Sequence, residues 1–216
     1  VNRLNPAEQR ESYRGTGLEP CDLSPDPIEQ FRRWYADAAD AGLPEVNAMV
    51  LATAGADGVP TARTVLLKGL DERGLTFYTN LTSRKARALA ENPRASLLFP
   101  WHAMGRQVGF GGRVEYLTPQ ENTRYFASRP HGSQIGAWAS EHQSSPVPSR
   151  QVLEERYERY AQRWPEGSTV PRPDYWGGYR VLPDEAEFWQ GGADRMHDRI
   201  RYRREGDGWL RERLSP

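Results

Sequence analysis

One cysteine, Cys21, stands in 216 residues, so no disulfide can form within the chain and an oxidised framework is excluded. Neither sign of charge is in excess. The 29 Lys and Arg balance 29 Asp and Glu, which removes the broad attraction that carries proteins to nucleic acid or anionic membranes. No apolar run reaches the length a bilayer requires, and nothing resembles a secretory signal. These absences predict a soluble cytoplasmic protein whose cationic sites are local. The chain opens on Val1 rather than Met, which suggests a trimmed N-terminus.

Several chemistries are missing as well. The one glycine-rich stretch of the right type, Gly15 to Pro20, neither follows a strand nor opens a helix, so a Rossmann site is not expected. There is no Walker loop. The four histidines, at 102, 131, 142 and 197, lack paired ligand spacing, and no metal is expected. Gly132 to Gly136 lacks the nucleophile-elbow spacing around Ser133. Asn80-Leu81-Thr82 fits a glycosylation sequon that a cytoplasmic chain would not use.

What is present is clear punctuation. Asp26-Pro27-Ile28-Glu29 reads as an N-cap, a first-turn proline and a capping acid, opening a helix that runs to Gly42. Residues 47–53 and 61–68 read as a hairpin, 75–79 as a strand, and Ser83 caps a short helix ending near Asn92. Strands are expected at 95–101 and 106–117, and Thr118-Pro119-Gln120-Glu121 opens a helix ending near Ser128. A charged amphipathic helix spans 149–164. Four late strands follow, at 178–182, 185–190, 198–203 and 209–214. Short strands with irregularly placed helices predict a mainly-β antiparallel barrel with helical additions. A single domain over 21–216 is expected, preceded by a mobile arm over 1–20.

Four clusters carry chemistry. The run Glu187 to Gly192, closed by Arg195 to Arg199, brings two arginines, a histidine and a tryptophan to a diglycine break. Strand alternation would put Arg195 and His197 on one side, suited to a planar anion. In Arg63 to Lys68 the same alternation sends Arg63 and Lys68 to opposite faces. Tyr78-Thr79-Asn80 with Ser83-Arg84-Lys85 surrounds a helix N-terminus, where free N–H groups favour phosphate. Tyr125, Ser128, Arg129, His131 and Ser133 could grip a second phosphate. Read singly, each cluster is equally an exposed rim or ordinary helix packing.

Together they carry a resemblance. Arg63–Lys68, Phe77–Lys85, Arg106-Gln107-Val108, Ser128-Arg129-Pro130 with Ser133–Trp138, Trp176–Arg180 and Glu187–Arg199 resemble the pyridoxine (pyridoxamine) 5′-phosphate oxidase family, in order and with consistent spacing. The resemblance implies an FMN-binding split β-barrel, a homodimer with flavin at the subunit interface. It implies oxidation of a phosphorylated B6 vitamer to pyridoxal 5′-phosphate, with O2 reduced to H2O2. By the same resemblance FMN is held by Arg63, Thr64, Val65, Leu66, Leu67, Lys68, Tyr78, Thr79, Arg84, Lys85 and Gln107. Gln143, Ser144, Trp189 and Arg199 would complete that site across the interface. Lys68, Tyr125, Arg129 and Ser133 would clamp the substrate phosphate. Arg195 and His197 would lie over the pyridine ring as the catalytic pair, with Arg10 and Tyr13 closing from the arm and Glu45 nearby.

Two departures stand out. Gly109-Phe110-Gly111-Gly112 weakens strand propensity and could introduce a bulge near Gln107. Ala139 to His142 is one residue longer than the family pattern, which puts the placement of Gln143 and Ser144 in question. Two alternatives stay open: a related split-barrel flavin oxidase with another substrate, and a non-catalytic binder of FMN or pyridoxal phosphate.

Overall fold

A computed structural model describes Asn5, Pro6, Ser12, Tyr13 and residues 17–216. Helix α1 (Pro27–Asp40) starts where its cap dictates: Asp26 Oδ1 accepts from the N–H groups of Ile28 at 2.7 Å and Glu29 at 3.0 Å. Removing such a cap costs about 1 kcal/mol. There follow β1 (Ala48–Ala54), β2 (Pro60–Leu66), β3 (Gly69–Asp71), β4 (Gly74–Asn80), α2 (Arg84–Glu91), β5 (Arg94–Trp101) and β6 (Arg106–Tyr116). Helices α3 (Pro119–Ala127), α4 (His131–Ala139) and α5 (Arg150–Arg163) come next. The chain then closes with β7 (Trp176–Gln190), β8 (Asp198–Glu205) and β9 (Gly208–Leu214).

The sheet runs β2-β1-β5-β6-β7-β4-β3, with β8 on β7 and β9 on β8. The first half of β7 pairs antiparallel with β4, Gly178 opposite Tyr78, and its second half with β8, Trp189 opposite Arg199. The two strands expected at 178–182 and 185–190 are therefore one. Pro183 falls between Val181, the last partner of β4, and Glu185, the first of β8, so its missing N–H interrupts neither of those two registers. Strand β6 likewise runs unbroken through Gly109 to Gly112. Helix α4 has no counterpart among the elements expected from the sequence.

The structure contains two compact units. One holds the residues up to Val50, Ser96–Gly111 and Pro183–Pro216; the other holds Leu51–Ala95 and Gly112–Leu182. The chain passes from one to the other within β1, β5, β6 and β7. In the first, Phe31 is fully buried against Phe99 at 4.7 Å and Phe110 at 5.3 Å between ring centroids. Burying a side chain of this size contributes about 1.5–3 kcal/mol. Tyr202, also fully buried, keeps its hydroxyl paired by donating to Ser24 O at 2.7 Å. In the second, Leu51, Leu75, Phe77 and Val181 close the sheet core, and Phe126, Ile135, Ala137, Val170 and Trp176 form a separate cluster beneath Tyr78 and Tyr125.

Candidate active site

Within the second unit, residues of β2, β4, α2, α3, α4 and the loop after α4 line a cavity of about 480 Å³, a size typical of small-molecule sites. Among the described residues its wall carries Arg63, Lys68, Lys85 and Arg129 and no carboxylate. Four cations on one wall without a counter-charge call for an anion.

One end is built on the start of α2. Ser83 caps that helix, its Oγ accepting from Ala86 N, and Ser144 Oγ accepts from Arg84 N at 3.3 Å. Lys85 Nζ donates to Thr79 Oγ1 at 3.1 Å and to Gln143 Oε1 at 3.2 Å. Arg63 donates to Thr53 Oγ1 at 2.9 Å and Leu51 O at 3.0 Å. Burial lowers the proton affinity of Lys85 and the Arg63 charge lowers it further; Arg63 is lowered by burial and then by Arg84. The cations repel one another across the cradle, a repulsion that an anion seated between them would cancel.

Asn80 holds the loop in place. It is buried, donates to Ser140 O at 2.7 Å and Glu141 O at 2.9 Å, and accepts from Thr82 N at 2.7 Å. These bonds anchor the loop that carries Gln143. The structure brings Gln143 to Thr79 and Lys85 of its own chain, so no second subunit is needed for that contact.

The other end is aromatic. Tyr78, Tyr125 and Trp176 lie nearly parallel, with Tyr78 3.9 Å from Tyr125 and 5.2 Å from Trp176 between centroids. Arg129 lies over Trp176 at 4.8 Å, and its Nη1 is buried with no hydrogen-bond partner among the described residues. An unpaired buried guanidinium nitrogen beside a cavity is the signature of a missing acceptor. Gln134 fixes the α3–α4 turn that carries Arg129 by donating to Phe126 O at 2.9 Å, and Ser133 reaches the wall from the first turn of α4. A Cβ at Gly178 would lie 2.6 Å from Tyr78 Cδ1, so only glycine leaves room for the ring stack.

Of the expected residues, Arg63, Thr64, Val65, Leu66, Lys68, Tyr78, Thr79, Lys85, Tyr125, Arg129, Ser133 and Gln143 line this one cavity. Leu67 is buried instead. Arg84 lines a smaller neighbouring cleft with Asp57, Thr61, Arg87 and Glu91. The expected separation of Arg63 and Lys68 onto opposite faces fails, since β2 ends at Leu66 and alternation does not extend to Lys68. Asn80, Gln134 and Trp176 fall inside segments the sequence singled out, but their particular roles were not legible, because buried amides leave no sequence signal of what they tie.

Apart from Ser144, placed above at the start of α2, the remaining described residues expected at the site belong to the first unit. Trp189 and His197 have ring centroids 4.7 Å apart, and Tyr13 meets both edge-on, at 5.5 Å and 5.9 Å. A Cβ at Gly191 would strike the Tyr13 ring at 2.4 Å, so this glycine serves close packing. Arg199 forks onto Glu187 at 2.7 and 3.0 Å. Arg195 is exposed with φ 64°, after Asp194 at φ 53°. The alternation expected to align Arg195 with His197 therefore does not exist, because a 3-10 turn over Ala193–Arg195 precedes β8. Gln107 lies on β6, and Glu45 is exposed in a turn with φ 43°. Arg10 lies outside the described residues. Among the described residues no three potential metal ligands are gathered, and no helix is long and apolar enough to cross a membrane.

A mainly-β chain with helical additions and a carboxylate-free cationic cavity defines a protein built to hold phosphorylated small molecules. Comparison with known sequences gives the family: residues 35–164 match the profile described as Pyridoxamine 5′-phosphate oxidase, and residues 176–216 match Pyridoxine 5′-phosphate oxidase C-terminal dimerisation region. A pyridoxine/pyridoxamine 5′-phosphate oxidase of Thermobifida fusca is 57% identical, over 98% of this chain and 98% of that protein. One of Frankia alni is also 57% identical, over 98% of this chain and 89% of its own length. PhzG from Burkholderia lata, solved with tetrahydrophenazine-1-carboxylic acid, superposes with a TM-score of 0.87 at 35% identity, covering 95% of this chain and 100% of that one. The chain belongs to the pyridoxamine 5′-phosphate oxidase family. Its fold is the antiparallel split barrel with added helices, its cofactor FMN, and its assembly a homodimer.

Proposed function

We propose that this chain oxidises pyridoxine 5′-phosphate or pyridoxamine 5′-phosphate to pyridoxal 5′-phosphate, reducing O2 to H2O2. The observation that carries the reading is the one cavity with four cations, no carboxylate and an orphaned Arg129 Nη1. FMN, when bound, supplies the two-electron acceptor chemistry. Lys85, Thr79, Arg63 and Gln143 hold its phosphate end, with Arg84 and Ser144 fixing the first turn of α2. Lys68, Tyr125, Arg129 and Ser133 take the substrate phosphate, and charge-assisted hydrogen bonds to both phosphates set the geometry of the reacting rings.

Arg195, His197, Trp189 and Arg199 fall within the dimerisation region, and none lines the cavity of its own chain. That supports a site at the subunit interface, completed by these residues of the partner. Arg195 there orients the vitamer ring, with Arg10 and Tyr13 closing over it from the arm.

The similarity to PhzG favours a second reading, an unphosphorylated tricyclic substrate. Retention of the phosphate clamp speaks against it. The test is aerobic turnover of the yellow, FMN-loaded protein. Aldehyde and peroxide formed from pyridoxine 5′-phosphate support the oxidase. Bound flavin with neither product supports a carrier, and turnover of the tricycle alone supports the second reading.

A further inference from the structure

The diglycine at 191–192 has a second use, carried by its other glycine. The N–H of Gly192 donates to His197 Nδ1 at 3.1 Å. A Cβ on residue 192 would lie 2.0 Å from Met196 O, so no other residue allows the chain to fold back this tightly. Two non-glycine residues in left-handed conformation, Asp194 and Arg195, make the same turn. Its backbone is pinned by Met196 N donating to Ala193 O and His197 N to Arg195 O, both at 2.9 Å. Backbone held in this region persists where a local arrangement demands it. The ring itself is clamped between Trp189 and Tyr13.

A nitrogen that accepts a hydrogen bond from a backbone N–H cannot carry a proton of its own. We propose that Gly192 fixes His197 as the neutral Nε2–H tautomer, so that His197 acts on the substrate as a hydrogen-bond donor and is not the acceptor of the substrate's proton. Gly192 is then a positioning residue acting through the imidazole. The assignment of His197 as a donor to substrate rests on the oxidase reading; the tautomer does not.

Two measurements separate these. Long-range 1H–15N correlation on histidine-labelled protein, with His197 identified as the signal lost in His197→Gln, reads the tautomer without any turnover. An unprotonated Nδ1 and a protonated Nε2 are expected in the native protein, and a mixture of tautomers in Gly192→Ala. A proton on Nδ1 in the native protein would overturn the proposal. In the FMN-loaded enzyme, His197→Gln, which keeps a donor near the Nε2 position, should recover much of the kcat/KM that His197→Leu loses. His197→Leu should lose on the order of 10- to 100-fold in kcat/KM, the worth of one hydrogen bond left unmade. If the glutamine variant is as impaired as the leucine variant and free imidazole restores it, His197 is the proton acceptor and the proposal fails. Absence of turnover in the native enzyme, with the tautomer intact, would instead count against the oxidase reading.

Discussion

The Lys85 ammonium donates at 3.2 Å to Gln143 Oε1, joining the first turn of α2 to the loop after α4 across 58 residues of sequence. Both also meet Thr79 Oγ1, at 3.1 and 3.3 Å. This triangle sits beside Arg63 with no carboxylate on the cavity wall, and it is the part of the structure best suited to a flavin phosphate.

Replacing Lys85 by Met should therefore weaken FMN strongly while sparing the fold. A charge-assisted hydrogen bond is worth about 1.5–3 kcal/mol, which corresponds to roughly 10- to 150-fold in Kd. Quenching of flavin fluorescence on titration measures it. Unchanged affinity would remove Lys85 from the phosphate site.

Arg129 should show opposite effects on stability and function. Its Nη1 is buried without a partner, and burial lowers the proton affinity of the guanidinium. Arg129→Met removes that uncompensated group, so the ligand-free variant should melt at or above the native temperature, while KM for the phosphorylated substrate rises at least about 10-fold. Thermal melts and steady-state kinetics on one preparation test both halves.

Gly178→Ala should act through Tyr78. The added methyl would lie 2.6 Å from Tyr78 Cδ1 and 2.7 Å from Leu117 Cδ1, forcing the Tyr78 ring out of its stack with Tyr125 and Trp176. Overpacking of this kind costs typically 1–3 kcal/mol, about the range expected from urea unfolding. An unchanged midpoint would mean that β7 shifts freely.

Acid should act on Glu121. Its carboxylate accepts from Thr118 N at 2.9 Å and from Arg180 at 3.1 Å, and these contacts hold its pKa down to about 2, the Thr118 N–H first. Because the folded value lies below the unfolded one, the contribution is complete above the ordinary carboxyl range, near 4.5, and is lost as pH falls from there toward about 2. Urea midpoints measured across that window should fall less steeply in Glu121→Gln than in the native chain.

Much of this was legible in the sequence, for identifiable reasons. Asp26 and Thr118 announced their helices because capping is a local bargain between a side chain and the next three N–H groups. The cationic clusters were legible as residue types, but their convergence was not. Alternation placed Arg63 and Lys68 apart because nothing in Leu66-Leu67-Lys68 signals that β2 ends. Helix α4 was hidden by Gly132 and Gly136, poor helix formers that the packing of Ile135 and Ala137 overrides. The turn at Asp194 and Arg195 was hidden too: aspartate tolerates a positive φ, but an arginine following it in the same conformation gives no signal.

The central claim is that the cavity selects a phosphorylated vitamer and delivers it to bound flavin. Anaerobic mixing of the FMN-loaded homodimer with pyridoxine 5′-phosphate, and separately with pyridoxine lacking the phosphate, tests it by the loss of flavin absorbance. Bleaching by the phosphorylated compound is expected at an efficiency at least about 100-fold above that of the other, the worth of two charge-assisted contacts. Equal bleaching by both, or none by either, would contradict it.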